Sequence, residues 1–199
     1  NTIRVARAFT GRDKFAKAEG GYHGTHDGAT VSVRVDPSKA GDALRPDAVP
    51  GSAGLAEGTL EQVVVIPFNE TEAALSILEE NKNELAAVII EPVLGTSGMV
   101  PATPEFLTML RVFTEENGII LIFDEVITGF GRTGKWFGAD TVGVTPDIMT
   151  IAKGLTGGYF PMGGAIASKR VSDAFTGGPD ATFKHMFTYT GHPAGCAAG

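Results

Sequence analysis

The chain has 199 residues, a formal net charge of −7, 43% hydrophobic and 20% charged residues, and 27 glycines. That length suits one large domain or two small ones, and that apolar share buries a substantial core, which excludes disorder as the main state. No basic stripe marks a nucleic-acid binder, no apolar run reaches the length of a membrane span, and the single cysteine, Cys196, forms no internal disulfide and fits a reducing, cytoplasmic setting.

Ile3, Val5, Ala6 and Phe9 predict a helix over residues 1–10, stopped by Gly11. It reads as a helix already under way, and the closing residues from Pro193 read as one just beginning, so both ends are expected to lie inside a longer protein. Lys14 to Ala18 is a short strand. Residues 36–58, rich in Pro, Gly, Asp and Ala, form a surface excursion. Val63 to Ile66 is a buried strand, and Glu70 to Asn81 a helix with Asn69 as candidate cap. Ala86 to Ile90 is a second buried strand. Thr103 to Asn117 is a helix entered by Thr-Pro-Glu and closed by Gly118, and Ile119 to Phe123 is a third buried strand. Ile148 to Ala152 and Gly164 to Ala167 complete the set.

Buried strands alternating with amphipathic helices predict an α/β domain with a mostly parallel central sheet flanked by helices. In such a sheet ligands sit beyond the carboxyl ends of the strands. Glu19-Gly-Gly-Tyr22-His23, Glu91, Asp124-Glu125 and Lys153 all follow strands, so they converge on one edge. Lys153, at a strand end, is placed to lose part of its solvation and serve as a nucleophile, or else to snorkel outward. Asp124 suits a metal, a cationic ring or a loop cap. Taken together, a Schiff-base lysine and a carboxylate for a pyridinium nitrogen are what pyridoxal phosphate requires of a protein.

Other patterns compete. Gly129-Phe-Gly131-Arg-Thr-Gly134 matches G-x-G-x-x-G, which keeps an NAD-binding oxidoreductase domain as an alternative. Against it, no helix is expected from Lys135 onward, and Asp140 and Asp147 fall short of the spacing for a ribose-binding acid. His23, His26 and Asp27 lack the spacing of a metal-ligand pair and read as a polar loop; no metal is expected.

The stretch from Leu121 to Gly134, with Pro146-Asp147 and Ala152-Lys153-Gly154, resembles class III (subgroup II) aminotransferases, pyridoxal-phosphate enzymes of fold type I. Ile3 to Arg12, Glu19 to Gly24, Ile90 to Gly95 and Thr188 to Pro193 extend the resemblance along the whole chain. It implies that residues 1–199 are most of the large cofactor-binding domain, with the main phosphate loop lying before Asn1 and a small domain following. It also implies roles: Lys153 in the Schiff base and as proton shuttle, Asp124 on the pyridine nitrogen, Val126 and Tyr22 on the two ring faces, His23 supporting the Tyr22 wall, and Thr188 reaching the phosphate in the other subunit of a homodimer. Glu91 is implied as a hydrogen-bonding group near Asp124, or else as a residue that simply terminates its strand. The implied reaction moves an amino group between an amine or amino acid and a keto acid or aldehyde. Ile127, where ornithine-type members carry Gln, points away from that branch. Residues 124–165 are more similar to ω-amino acid:pyruvate transaminases, residues 19–68 to glutamate-1-semialdehyde aminomutases, which leaves intramolecular amino transfer as an alternative.

Overall fold

A computed structural model describes all of residues 1–199. Six strands form the central sheet: β1 (Lys14–Ala18), β2 (Val63–Ile66), β3 (Leu85–Ile90), β4 (Ile120–Asp124), β5 (Ile148–Ala152) and β6 (Gly163–Ala167). Their spatial order is β2-β1-β3-β4-β5-β6. All neighbours run parallel except β5 and β6, an antiparallel pair with Gly163 opposite Ala152. The connection through Lys153 is too short for a crossover helix, so the chain must turn back on itself. The strand order reverses at β1, which has β2 on one side and β3 on the other, and such a reversal opens a crevice at the carboxyl edge.

Helices α1 (Thr2–Thr10), α2 (Thr71–Asn81) and α3 (Pro104–Glu116) cover the sheet. Side chains on a strand alternate between faces. Ala16, Ala18, Val88, Ile90, Leu121 and Phe123 therefore pack under α2 and α3. Phe15, Val65, Ala87, Ile89, Ile120, Ile122 and Ile148 pack on the other face with Ile3 and Ala6 of α1. Helix α3 shows why these residues are helical. Thr103 Oγ1 accepts the Phe106 N–H, Pro104 fills the first turn, and Phe106, Leu107, Leu110 and Phe113 form one buried stripe. Each of these large side chains contributes about 1.5–3 kcal/mol on burial.

Two local expectations change. Asn69 does not cap α2: it adopts φ 65, donates Nδ2 to the Pro101 carbonyl and accepts the Thr103 N–H, tying the two helix entrances together. A one-turn helix, α4 (Gly138–Val142), stands where none was expected. Helices α5 (Lys169–Asp173) and α6 (Pro193–Ala198) complete the chain. The surface excursion carries a short ribbon pairing Gly41–Asp42 with Arg45–Pro46. No helix is long and apolar enough to cross a membrane.

Candidate active site

On the α1 face, Lys17, Ile89, Ile122 and Ile148 lie in one register row across β1, β3, β4 and β5. The positions two residues further along are Glu19, Glu91, Asp124 and Thr150. The apolar face thus turns polar in its last pleat, where the strands end. A cavity of about 600 Å³ opens there, within the range of small-molecule sites. Tyr22, His23, Glu91, Asp124, Val126 and Lys153 line it, and the amino end of α1 closes one side.

Asp124 is 8% exposed, and both its oxygens are engaged. Oδ1 accepts from Thr150 Oγ1 at 2.9 Å and from the Val126 N–H at 3.2 Å; Oδ2 lies 2.9 Å from His23 Nδ1. Burial alone would raise this carboxyl. The His23 hydrogen bond and charge, the Thr150 hydroxyl and the Val126 amide outweigh burial and hold it below the ordinary carboxylate range. No lysine or arginine forms an ion pair with it; its one ionisable partner is His23. His23 therefore acts on Asp124 directly as well as belonging to the Tyr22 loop; its Nε2 is buried with no partner.

Lys153 follows β5 and opens a tight turn, Lys153–Thr156. It is exposed to the cavity rather than desolvated, and it adopts φ 48. A left-handed non-glycine residue costs roughly 1–2 kcal/mol, and such strain gathers at functional sites. The turn fits because Gly154 lies against Phe130, where a Cβ would stand 3.0 Å from the Phe130 Cβ.

Tyr22 borders the cavity from the β1 loop, and its N–H donates to Glu91 Oε1 at 3.0 Å. Glu91 Oε2 accepts the Gly95 N–H at 3.1 Å. Glu91 thus ties the loops after β1 and β3 together instead of bonding Asp124. Thr188 lies on an exposed turn that does not line this cavity. It does not cap α6 either: His192 is the cap, its Nδ1 accepting from Gly195. His26 reaches the cavity rim, while Asp27 sits in a short turn behind it.

Glu125, fully buried, has a separate task. Its carboxylate accepts the Gly138 and Ala139 N–H groups at 2.8 and 2.7 Å and the Thr128 hydroxyl. The amino end of α4, where a dinucleotide pyrophosphate would have to bind, is filled by this side chain. That overturns the G-x-G-x-x-G alternative. Sequence reasoning also passed over Thr150; its signal was a polar residue on the Ile148 face of an otherwise apolar strand.

The fold and this edge, a strand-end carboxylate held below the ordinary range and a strand-end lysine lining the same cavity, define an α/β protein of the transaminase structural class. An ω-transaminase from Sphaerobacter thermophilus superposes with a TM-score of 0.89 at 37% identity, covering 99% of this chain and 44% of that one. Taurine:2-oxoglutarate aminotransferase from Bifidobacterium kashiwanohense, solved in complex with PLP and glutamate, gives 0.78 at 31% identity, covering 99% and 45%. Glutamate-1-semialdehyde 2,1-aminomutase from Methanococcus maripaludis is 40% identical over 197 residues, 99% of this chain and 44% of the relative. The class-III aminotransferase family model matches residues 1–199, and the chain belongs to that family. It spans less than half the length of these relatives.

Proposed function

We propose that this chain is most of the large domain of a pyridoxal-phosphate-dependent aminotransferase that moves an amino group between an amine or amino acid and a keto acid or aldehyde. The observation that carries the reading is Asp124, an ionised carboxylate with neutral donors and one histidine around it, facing the same cavity as the Lys153 amine. The donor set fits the cofactor: an amine for its aldehyde and a carboxylate for its ring nitrogen, in a cavity that Tyr22 and Val126 also line. When bound, pyridoxal phosphate supplies an aldehyde that condenses with amines and a pyridinium ring that withdraws electrons from the amine carbon.

The residues divide the remaining work. Asp124 keeps a proton on the ring nitrogen, and His23, Thr150 and the Val126 amide keep Asp124 charged. Tyr22 and Val126 flank the ring and exclude water. Lys153 holds the cofactor between turnovers and, once released, moves a proton to and from the substrate carbon. Thr188, on its exposed turn, is available to the cofactor phosphate of a second subunit in a homodimer. The absence of an internal disulfide suits a cytoplasmic enzyme.

An aminomutase of the glutamate-1-semialdehyde type is the second reading, supported by relatives of that name at 40–41% identity. Offering the full-length enzyme glutamate-1-semialdehyde with and without an added keto acid separates the two. In either case Lys153→Ala abolishes turnover and the visible absorbance of the bound cofactor; retained turnover would refute the role of Lys153.

A further inference from the structure

Lys17 has no exposed surface. It sits mid-sheet on β1, opposite Val65 of β2 and Ile89 of β3. Methionine would fill the same space without the penalty of burying an amine, so the amine needs a reason. Its Nζ donates to the Val31 carbonyl at 2.6 Å. Val31 leads into Ser32, which adopts φ 52, uncommon for a residue other than glycine. The Ser32 carbonyl accepts the Gly20 N–H at 2.8 Å, and the Gly20 carbonyl accepts the Ser97 hydroxyl at 2.8 Å. Two residues on, Tyr22 hangs its N–H on Glu91.

We infer that Lys17 is a positioning residue: by gripping the Val31 carbonyl it fixes the Ser32 turn, and through that turn and Glu91 it holds the Gly20–Tyr22 wall against the cavity. The inference rests on the proposed cofactor reading for what the wall contacts. Two routes lead from Lys17 to Tyr22. One is the bonded path through Val31, Ser32 and Gly20. The other is electrostatic. Burial pushes the Lys17 amine down to about 7, against the pull of Glu91 and then Glu19. Glu91, which pulls on the amine, is also the group that receives the Tyr22 amide. A space-filling lysine would need neither the short bond to a strained turn nor carboxylates two positions along its own face.

Amide hydrogen exchange on the full-length protein tests this, with Lys17→Met against the parent and cofactor affinity measured alongside. Exchange at Gly20, Tyr22 and Ser32 should quicken about tenfold, the effect of losing one short buried hydrogen bond. Ile122 and Phe123 should stay within about twofold, and the dissociation constant of pyridoxal phosphate should rise about tenfold. Equal acceleration at all sites, or unchanged protection at Gly20 and Tyr22, overturns the inference. If the parent itself fails to bind pyridoxal phosphate, the cofactor reading falls, and the exchange data still decide whether Lys17 orders the wall. Should Lys17→Met fold too poorly to measure, Lys17→Arg keeps an N–H donor at this position. Its protection at Gly20 and Tyr22 should remain within about threefold of the parent, and loss there would assign the wall's order to something other than this bond.

Discussion

Asp124 and Asp147 are equally buried, 8% exposed each, and they mark opposite edges of the same strand pair. Asp147, just before β5, is enclosed by guanidinium groups. Arg111 donates to its Oδ2 at 3.1 Å, Arg170 to its Oδ1 at 2.8 Å, and the Leu121 N–H also donates to Oδ2, at 2.9 Å. Those bonds join α3, α5 and β4 at the amino edge. Asp124, closing β4 at the carboxyl edge, meets a hydroxyl, an amide and a histidine instead. Asp147 has two guanidinium partners within the fold; Asp124 has none, and on the proposed reading its charge faces the cofactor. The lesson is that burial and residue type do not separate these two acids, whereas the presence or absence of guanidinium partners does.

Substitution should separate the two sharply. Asp124→Asn in the full-length enzyme keeps the shape and loses the charge. Activity should fall by about 100-fold or more, the low end of a proton-managing group's contribution, with a smaller loss of thermal stability than at Asp147, because no guanidinium is left without its partner. Near-normal turnover would remove the distinction. Asp147→Asn should do the reverse. Leaving two guanidiniums without a buried partner costs roughly 3–5 kcal/mol in a fully buried setting, discounted to about 2–3 kcal/mol because Arg170 is half exposed. The melting temperature falls, while turnover per folded molecule holds. The burial penalty on Asp147 is outweighed by Arg170, the Leu121 amide and Arg111, so its folded pKa lies below the ordinary value. Its stabilisation is therefore present above roughly pH 4 and lost as pH falls through the depressed folded value. Acid unfolding curves should show Asp147→Asn losing most of that limb.

The smallest expected effect sharpens the comparison from inside the site. Thr150→Val removes one neutral donor from Asp124 and leaves its other bonds. A loss of about 1 kcal/mol should appear as roughly a fivefold fall in kcat/KM, with the acid limb of the pH–rate profile moved upward because Asp124 ionises less readily. A profile identical to the parent's would show that Thr150 does not hold the charge.

Much of this organisation was legible in the chain. β5 and the end of α1 lie where the apolar runs and Gly11 place them, and Asp124 and Lys153 announce themselves as polar groups ending apolar strands. What escaped reading depended on partners distant in sequence. Asn69 looks like a cap because capping is local, but its amide is claimed by residues 32 and 34 positions away. Glu125 sits beside Asp124 with the same pattern around it, and only the chain folding back at Gly138 gives it another task. Lys17 is hidden for a different reason: nothing local marks a lysine in a five-residue strand as buried until strands are found on both sides of it.

The central claim is that Lys153 and Asp124 share one cavity with pyridoxal phosphate, and borohydride reduction of the full-length holoenzyme followed by peptide mapping tests it most directly. The account predicts the pyridoxyl mass on the peptide carrying Lys153, and its loss in Lys153→Ala. A pyridoxyl group on Lys135, Lys169 or Lys17 instead would contradict it.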